Sequence, residues 1–471
     1  MSLWLAVAVP ALLLAVPSAD APAKSLPRGE VVERVECAAF PGQSYALYLP
    51  RGYSVERRWP ILYAFDARER GDVPVELFRA AAEELGWIVA GSNNFRSDEP
   101  TTAGAVAAIE ALWEDTHERL AIDRRRVYAT GFSGGARTAC ALGLARLGEV
   151  AGVVGCGGGF PPDWQPRADT RFAFVGVAGD SDFNFHELWQ LDRRLGELGL
   201  PHRFLTFAGG HQWPPANAAR EALFWLELLA MRGGATPVRP ELVAALSQDG
   251  LAAARAEEAA GDPVAALRRL EALERDFTGL VATQEATAEV ARLRASPEYR
   301  RVRAEQEAAE AEYTAYLART PARVAELVVQ DPGGFHLKLA LTRLEVPVLE
   351  RRAALPTYSG RAARRALESL FVQTSFYLPR AMTGRGEHAR AAMLLSIAAA
   401  IKPAEPWVWY ALAGAQARSG QARDAFASLR RAVAAGFADR ERLAGDEAFV
   451  RLRGDRRFEA LLDELAPAPQ P

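Results

Sequence analysis

Cysteine is scarce in this chain: Cys37, Cys140 and Cys156 are the only three in 471 residues. They are too few and too irregularly spaced for a metal-binding cluster or a dense disulfide framework, so neither a metal nor cross-linking is expected to hold the fold. An exported chain would permit one pair, Cys140 with Cys156; three buried free thiols are the other reading. Charge excess is missing too. Fifty-six basic residues face 59 acidic ones, a formal net charge of −3, which gives nucleic acid or an anionic membrane no electrostatic hold. Long apolar runs are absent beyond the amino terminus, where residues 3–16 are apolar and Ser18, Ala19, Ala21 and Ala23 follow. Residues 1–23 therefore read as an export signal with small residues for cleavage after Ala21, and the protein as periplasmic or secreted. No Lys or Arg precedes the apolar run and Pro10 interrupts it, so an uncleaved anchor stays open.

What is present is a globular composition, 49% hydrophobic and 24% charged, in a chain too long for one ordinary core. From 27 to 232, strands alternate with helices. Strands are expected at 35–40, 45–49, 60–66, 87–90, 150–156, 172–178 and 203–207, with another running from 127 into a turn. Helices are expected at 75–85, 102–119, 136–147, 184–198 and 216–231. Continuous apolar strands separated by helices give an α/β fold with a doubly wound, mostly parallel sheet, whose ligands bind at the carboxyl ends of the strands.

The sequence Gly131-Phe132-Ser133-Gly134-Gly135 follows the strand at 127 and opens a helix of small residues. Small neighbours let the backbone turn sharply there and lift a serine hydroxyl clear of the sheet edge. A serine alcohol needs a base, and the base needs an orienting acid. His211 is the candidate base, on the glycine loop Gly209-Gly210-His211 after a strand. Of the other histidines, His202 precedes its strand, His117 reads as a helix-surface residue, His186 comes too early, and His336 and His388 lie in the later helical part. Asp182 is the candidate acid, in Gly179-Asp180-Ser181-Asp182, with Asp180 as a turn cap. Developing negative charge needs two donors: the Gly134 N–H at the helix start and one from the loop after 60–66, at Ala67 or Arg68. Phe132, Phe160, Phe183 and Trp213 are candidates to line an acyl pocket; plain core is the alternative.

On these residues the domain resembles the alpha/beta-hydrolase superfamily, and within it the compact esterases of the polyhydroxybutyrate depolymerase and feruloyl esterase kind. The resemblance rests on 123–136, 179–182 and 209–214. It implies hydrolysis of a carboxylic ester through a serine acyl-enzyme, without cofactor or metal. Phe65-Asp66-Ala67-Arg68 departs from the family's His-Gly loop, which leaves the substrate open between small-molecule and polymer-linked esters.

Beyond the linker expected at 233–240 the pattern becomes helical, a helical region at 241–380 followed by repeats at 381–466. Gly386, Ala391, Leu395 and Ala398 recur as Gly420, Ala425, Leu429 and Ala432, a period of 34 residues. This resembles tetratricopeptide helix pairs and implies a protein partner. A weaker half-copy follows Gly261, at Ala266 and Leu270. The expectation is a serine esterase fused to a helical repeat domain. A peptidase or amidase with the same residues, and a non-catalytic binding scaffold, are the rival readings.

Overall fold

The computed structural model describes residues 26–97 and 103–465. The expected export segment at 1–23 lies outside the described residues, among which no helix is long and apolar enough to cross a membrane. The first part of the chain runs β1 (Val31–Glu36), β2 (Ser44–Tyr48), β3 (Trp59–Phe65), α1 (Asp72–Leu85), β4 (Ile88–Ser92), α2 (Ala103–Arg119), β5 (Ile122–Phe132), α3 (Gly134–Ala145), β6 (Val150–Cys156), β7 (Ala173–Gly179), α4 (Phe185–Glu197), β8 (His202–Phe207) and α5 (Ala216–Arg232).

The eight strands form one sheet in the order β1-β2-β4-β3-β5-β6-β7-β8. β2 is antiparallel to β1 and β4; from β4 through β8 every pairing is parallel. The internal strands β3 and β7 are buried at every position, as strands covered on both faces must be. Alternation along β3 sends Ile61 and Tyr63 to a core shared with Leu112, Ala139 and Leu188, and Leu62 to a second core with Phe78, Leu223 and Trp225. One expectation fails at the edge. The first strand ends at Glu36, not Phe40, because Cys37 donates to the Gln43 carbonyl at 3.0 Å and Gln43 to Phe40 at 3.0 Å, closing a loop where pairing was expected.

All three cysteines are free and buried. Cys140 belongs to the core on one face of the sheet and Cys156 to the core on the other; the sheet itself keeps them apart. Burial pushes the Cys156 thiol up to about 12 and Cys37 to about 11, and raises Cys140 further still.

The helical part continues with α6 (Pro240–Ala259), α7 (Pro263–Phe277), α8 (Gln284–Ala295), α9 (Pro297–Val328), α10 (Leu337–Arg343), α11 (Val346–Ala353) and α12 (Tyr358–Val372). A π-helical turn, Gln373–Tyr377, leads into α13 (Leu378–Gly384), α14 (His388–Ile401), α15 (Pro406–Arg418), α16 (Ala422–Ala434), α17 (Arg440–Gly445) and α18 (Arg456–Glu464). The two parts share a core: Leu228 and Met231 of α5 pack with Val243 of α6 and Leu267 and Leu270 of α7. Trp225 Nε1 donates to Asp276 Oδ2 at 2.8 Å across the same seam, and the short loop before α6 is tied back by Arg239 to Glu227 at 2.9 Å. In α14 and α16 the repeated positions Ala391, Leu395, Ala398, Ala425, Leu429 and Ala432 are all buried, each small residue admitting the neighbouring helix.

Thiolates, not thiols, react, so the native protein should give no fast-reacting thiol with a disulfide-exchange reagent at about pH 8, and three after denaturation without reductant. A fast native reaction, or fewer than three thiols after unfolding, contradicts this burial.

Candidate active site

Ser133 sits between β5 and α3 with φ 56° and ψ −114°, a backbone that L-residues rarely adopt. The sequence permits it through its glycines. A Cβ on Gly131 would lie 2.2 Å from the Gly135 carbonyl, and one on Gly135 would lie 2.0 Å from the Phe65 carbonyl oxygen. Backbone thus meets backbone, and the end of β3 is drawn against the start of α3. Ser133 N–H donates to the Cys156 carbonyl at 2.9 Å, which pins the turn to β6.

Asp182 and His211 converge on this serine. Asp182, fully buried, lies in the turn between β7 and α4; its two oxygens are 2.9 and 3.0 Å from His211 Nδ1, and the Asn184 N–H donates to Oδ1 at 2.8 Å. An ionised carboxylate only accepts, so Nδ1 carries the imidazole proton. Nε2 is then the acceptor for the Ser133 hydroxyl, 2.9 Å away. The acid turn and the histidine loop touch through glycine: a Cβ on Gly179 would lie 2.3 Å from the Gly209 carbonyl oxygen, and Ser181 N–H donates to that oxygen at 2.9 Å. Asp180, expected to cap the turn, instead accepts from Ser181 Oγ at 3.0 Å and from Gly209 N–H of the histidine loop at 3.3 Å; the backbone N–H within the turn is taken by Asp182. Gly157, at φ 59°, passes beneath; a Cβ there would approach Asp182 Oδ2 at 3.1 Å and His211 Cε1 at 3.2 Å.

Gly134 opens α3 beside the serine, with its backbone N–H at the positive end of the helix dipole. Of the two residues expected to supply the second donor, Arg68 is excluded. Its N–H donates to Asp66 Oδ1 at 3.0 Å, which leaves Ala67. Buried Asp66 also accepts from Arg70 at 2.9 Å and from Trp213 Nε1 at 2.8 Å, so one carboxylate ties the loop after β3 to the histidine loop. Sequence reasoning missed this tether; the signal was a buried strand ending on an acid. It also missed Ser97, whose side chain lies against Gly134.

The aromatic candidates separate. Phe132 and Phe183 pack on the His211 imidazole with centroids at 4.6 and 4.3 Å, and Trp213 packs on Phe132 at 5.6 Å. Phe160 instead belongs to the core, against Phe172 and Phe174. Among the other histidines, His117 is half-buried and stacked on Trp113 at 4.5 Å, not a free surface residue. His202 is the first residue of β8, 3.6 Å from Asp192. His186 is buried with its Nδ1 facing Glu310 of α9 at 3.6 Å.

The strand order, with a serine elbow after β5 and acid and histidine after β7 and β8, decides the fold. The domain has the alpha/beta-hydrolase fold. No family model matches the chain. Feruloyl esterase C of Emericella nidulans is 27% identical over 150 residues, 30% of this chain and 55% of the relative, so the chain spans about half the length of that curated relative. Among solved structures, an S-formylglutathione hydrolase of Staphylococcus aureus aligns over 43% of this chain and 98% of its own, at 15% identity and TM-score 0.35. A fluorophosphonate-binding serine hydrolase of the same organism, with substrate bound, aligns over 42% and 99%, at 13% identity and TM-score 0.36.

The contact of the alpha/beta-hydrolase elbow with β3 is testable by one methyl group. Gly135→Ala should lower stability by about 1–3 kcal/mol, the usual range for overpacking, read as a lower urea midpoint with unchanged slope. An unchanged midpoint contradicts the close approach.

Proposed function

We propose that this chain hydrolyses carboxylic esters through a serine acyl-enzyme. The observation that carries the reading is the unbroken relay from Asp182 through His211 to Ser133, 2.9 Å at its last step. Ser133 Oγ attacks the ester carbonyl as His211 Nε2 takes its proton, while Asp182 holds the imidazole in the required tautomer and stabilises the imidazolium. The carbonyl oxygen becomes an oxyanion facing the Gly134 and Ala67 N–H groups. Collapse expels the alcohol, which takes the proton from His211; water then repeats the sequence on the acyl-enzyme and frees Ser133. The histidine, partly open to solvent, is reachable by that water.

Phe132, Phe183 and Trp213 form the apolar wall on which the acyl group rests. Similarity to a feruloyl esterase supports an ester over an amide as the scissile group. Residues 1–23 are proposed to direct export, and the stacked helices α14 to α16 to dock a protein partner.

Parallel measurement on matched aryl esters and anilides tests the reading. The parent should turn over esters and be slow on anilides. Ser133→Ala should lose on the order of 10⁴-fold or more in kcat, and Asp182→Asn about 10⁴-fold, the sizes seen when such relays are broken. Equal or greater anilide turnover would reassign the protein as an amidase. Folded Ser133→Ala retaining parental ester turnover would remove the mechanism.

A further inference from the structure

The turn that carries Asp182 is held from outside the alpha/beta-hydrolase domain. Three of its four residues are bonded to side chains of the helical region. Arg365 Nη1 of α12 donates to the Asp180 carbonyl at 3.4 Å. Arg364 Nε donates to Ser181 Oγ at 3.2 Å, and Tyr313 Oη of α9 donates to the Phe183 carbonyl at 3.4 Å. The partners are 130 to 185 residues apart in the chain.

Each contact is modest, yet they act on one short segment. Phe183 links the helical region to the histidine: Tyr313 holds its carbonyl, and its ring lies 4.3 Å from the His211 imidazole. Arg365 is 2% exposed; its guanidinium lies over the Phe185 ring at 4.3 Å and 5.2 Å from Tyr313, and it pairs with buried Glu310. A buried arginine is costly unless its geometry is fixed by partners on all sides. The ion pair itself joins α12 to α9, and the Asp180 carbonyl and the Phe185 ring complete the surroundings of the guanidinium, which seats the pair against the acid turn. Arg365 Nε, Glu310 Oε2 and His186 Nδ1 make no hydrogen bond, which leaves this network with little reserve.

We infer that α9 and α12 position the acid of the triad, with Arg365, Arg364 and Tyr313 as positioning residues, so that the helical region forms part of the active site. The inference rests on the hydrolase reading for its kinetic consequence but on geometry for its structural one. Without these contacts the 180–183 turn keeps its link to the histidine loop and loses its outer support. Asp182 then samples orientations in which it no longer fixes Nδ1.

The test uses the full chain. In Arg365→Met/Glu310→Met both buried charges are removed together, so neither is orphaned and the fold should survive. With an aryl acetate, kcat should fall roughly 10- to 100-fold, as small misplacements of a reacting group do, with KM and the melting midpoint nearly unchanged. The downfield Nδ1–H proton resonance of an Asp–His pair, present in the parent and absent in an Asp182→Asn control, should broaden or vanish in the double variant. Parental kcat and an intact resonance in the folded double variant overturn the inference. Should the parent not cleave the ester, the hydrolase reading fails, and the resonance alone decides. Its loss in the double variant upholds the positioning role; its retention there, or absence from the parent, overturns it. Should the double variant not fold, Tyr313→Phe, which keeps the ring and removes one donor, replaces it. A reduced kcat and broadened resonance then support the inference, and parental values of both overturn it.

Discussion

The backbone of Ser133 is the constraint from which the site follows. Its positive φ costs about 1–3 kcal/mol for a residue with a side chain, and the chain recovers this through the Cys156 bond and the helix that starts at Gly134. The glycines at 131 and 135 let the elbow press on Phe65, which brings the loop after β3 within the same few ångströms as the helix start. The proposed nucleophile and the proposed oxyanion donors are thus set by one turn. A larger residue at either glycine would separate them.

The second constraint is the burial of Asp182. A fully buried carboxylate must accept from donors on each side, and here the donors are an imidazole N–H and one backbone N–H. Those donors come from the histidine loop and from the start of α4, held together by the glycine contact at 179 and 209. Asp66 performs a related task on the opposite side, where Trp213, Arg70 and the Arg68 N–H all converge on one buried carboxylate. Two buried acids therefore brace the histidine loop, one directly at its imidazole and one at Trp213, two residues on.

The parts of this arrangement that were legible in the sequence are local. The elbow declares itself by small residues between an apolar strand and a helix, and Asp182 and His211 by their place just past strand ends, in the order the fold requires. Asp182 was separable from Asp180 by its offset of three residues from Gly179, but the cap expected of Asp180 is made by Asp182 itself, which accepts from the Asn184 N–H. The unread parts depend on tertiary contact. Arg68 is lost as a donor because the Asp66 side chain folds back onto it, and Phe160 reads alike whether it faces a pocket or a core. Cys140 and Cys156 are close in sequence yet lie on opposite faces of the sheet. The grip of Tyr313, Arg364 and Arg365 on the acid turn spans over a hundred residues and leaves no periodic trace. The 34-residue recurrence from Gly386 to Gly420 was visible because small residues at fixed spacing do leave a trace, and every repeated Ala and Leu is buried.

The central claim is that Ser133 is an activated nucleophile, and reaction with a fluorophosphonate followed by peptide mapping tests it most directly. The account predicts one stoichiometric adduct, on Ser133, absent from Ser133→Ala and lost from a folded His211→Ala variant. A folded parent that stays unlabelled, or an adduct on another serine, would contradict it.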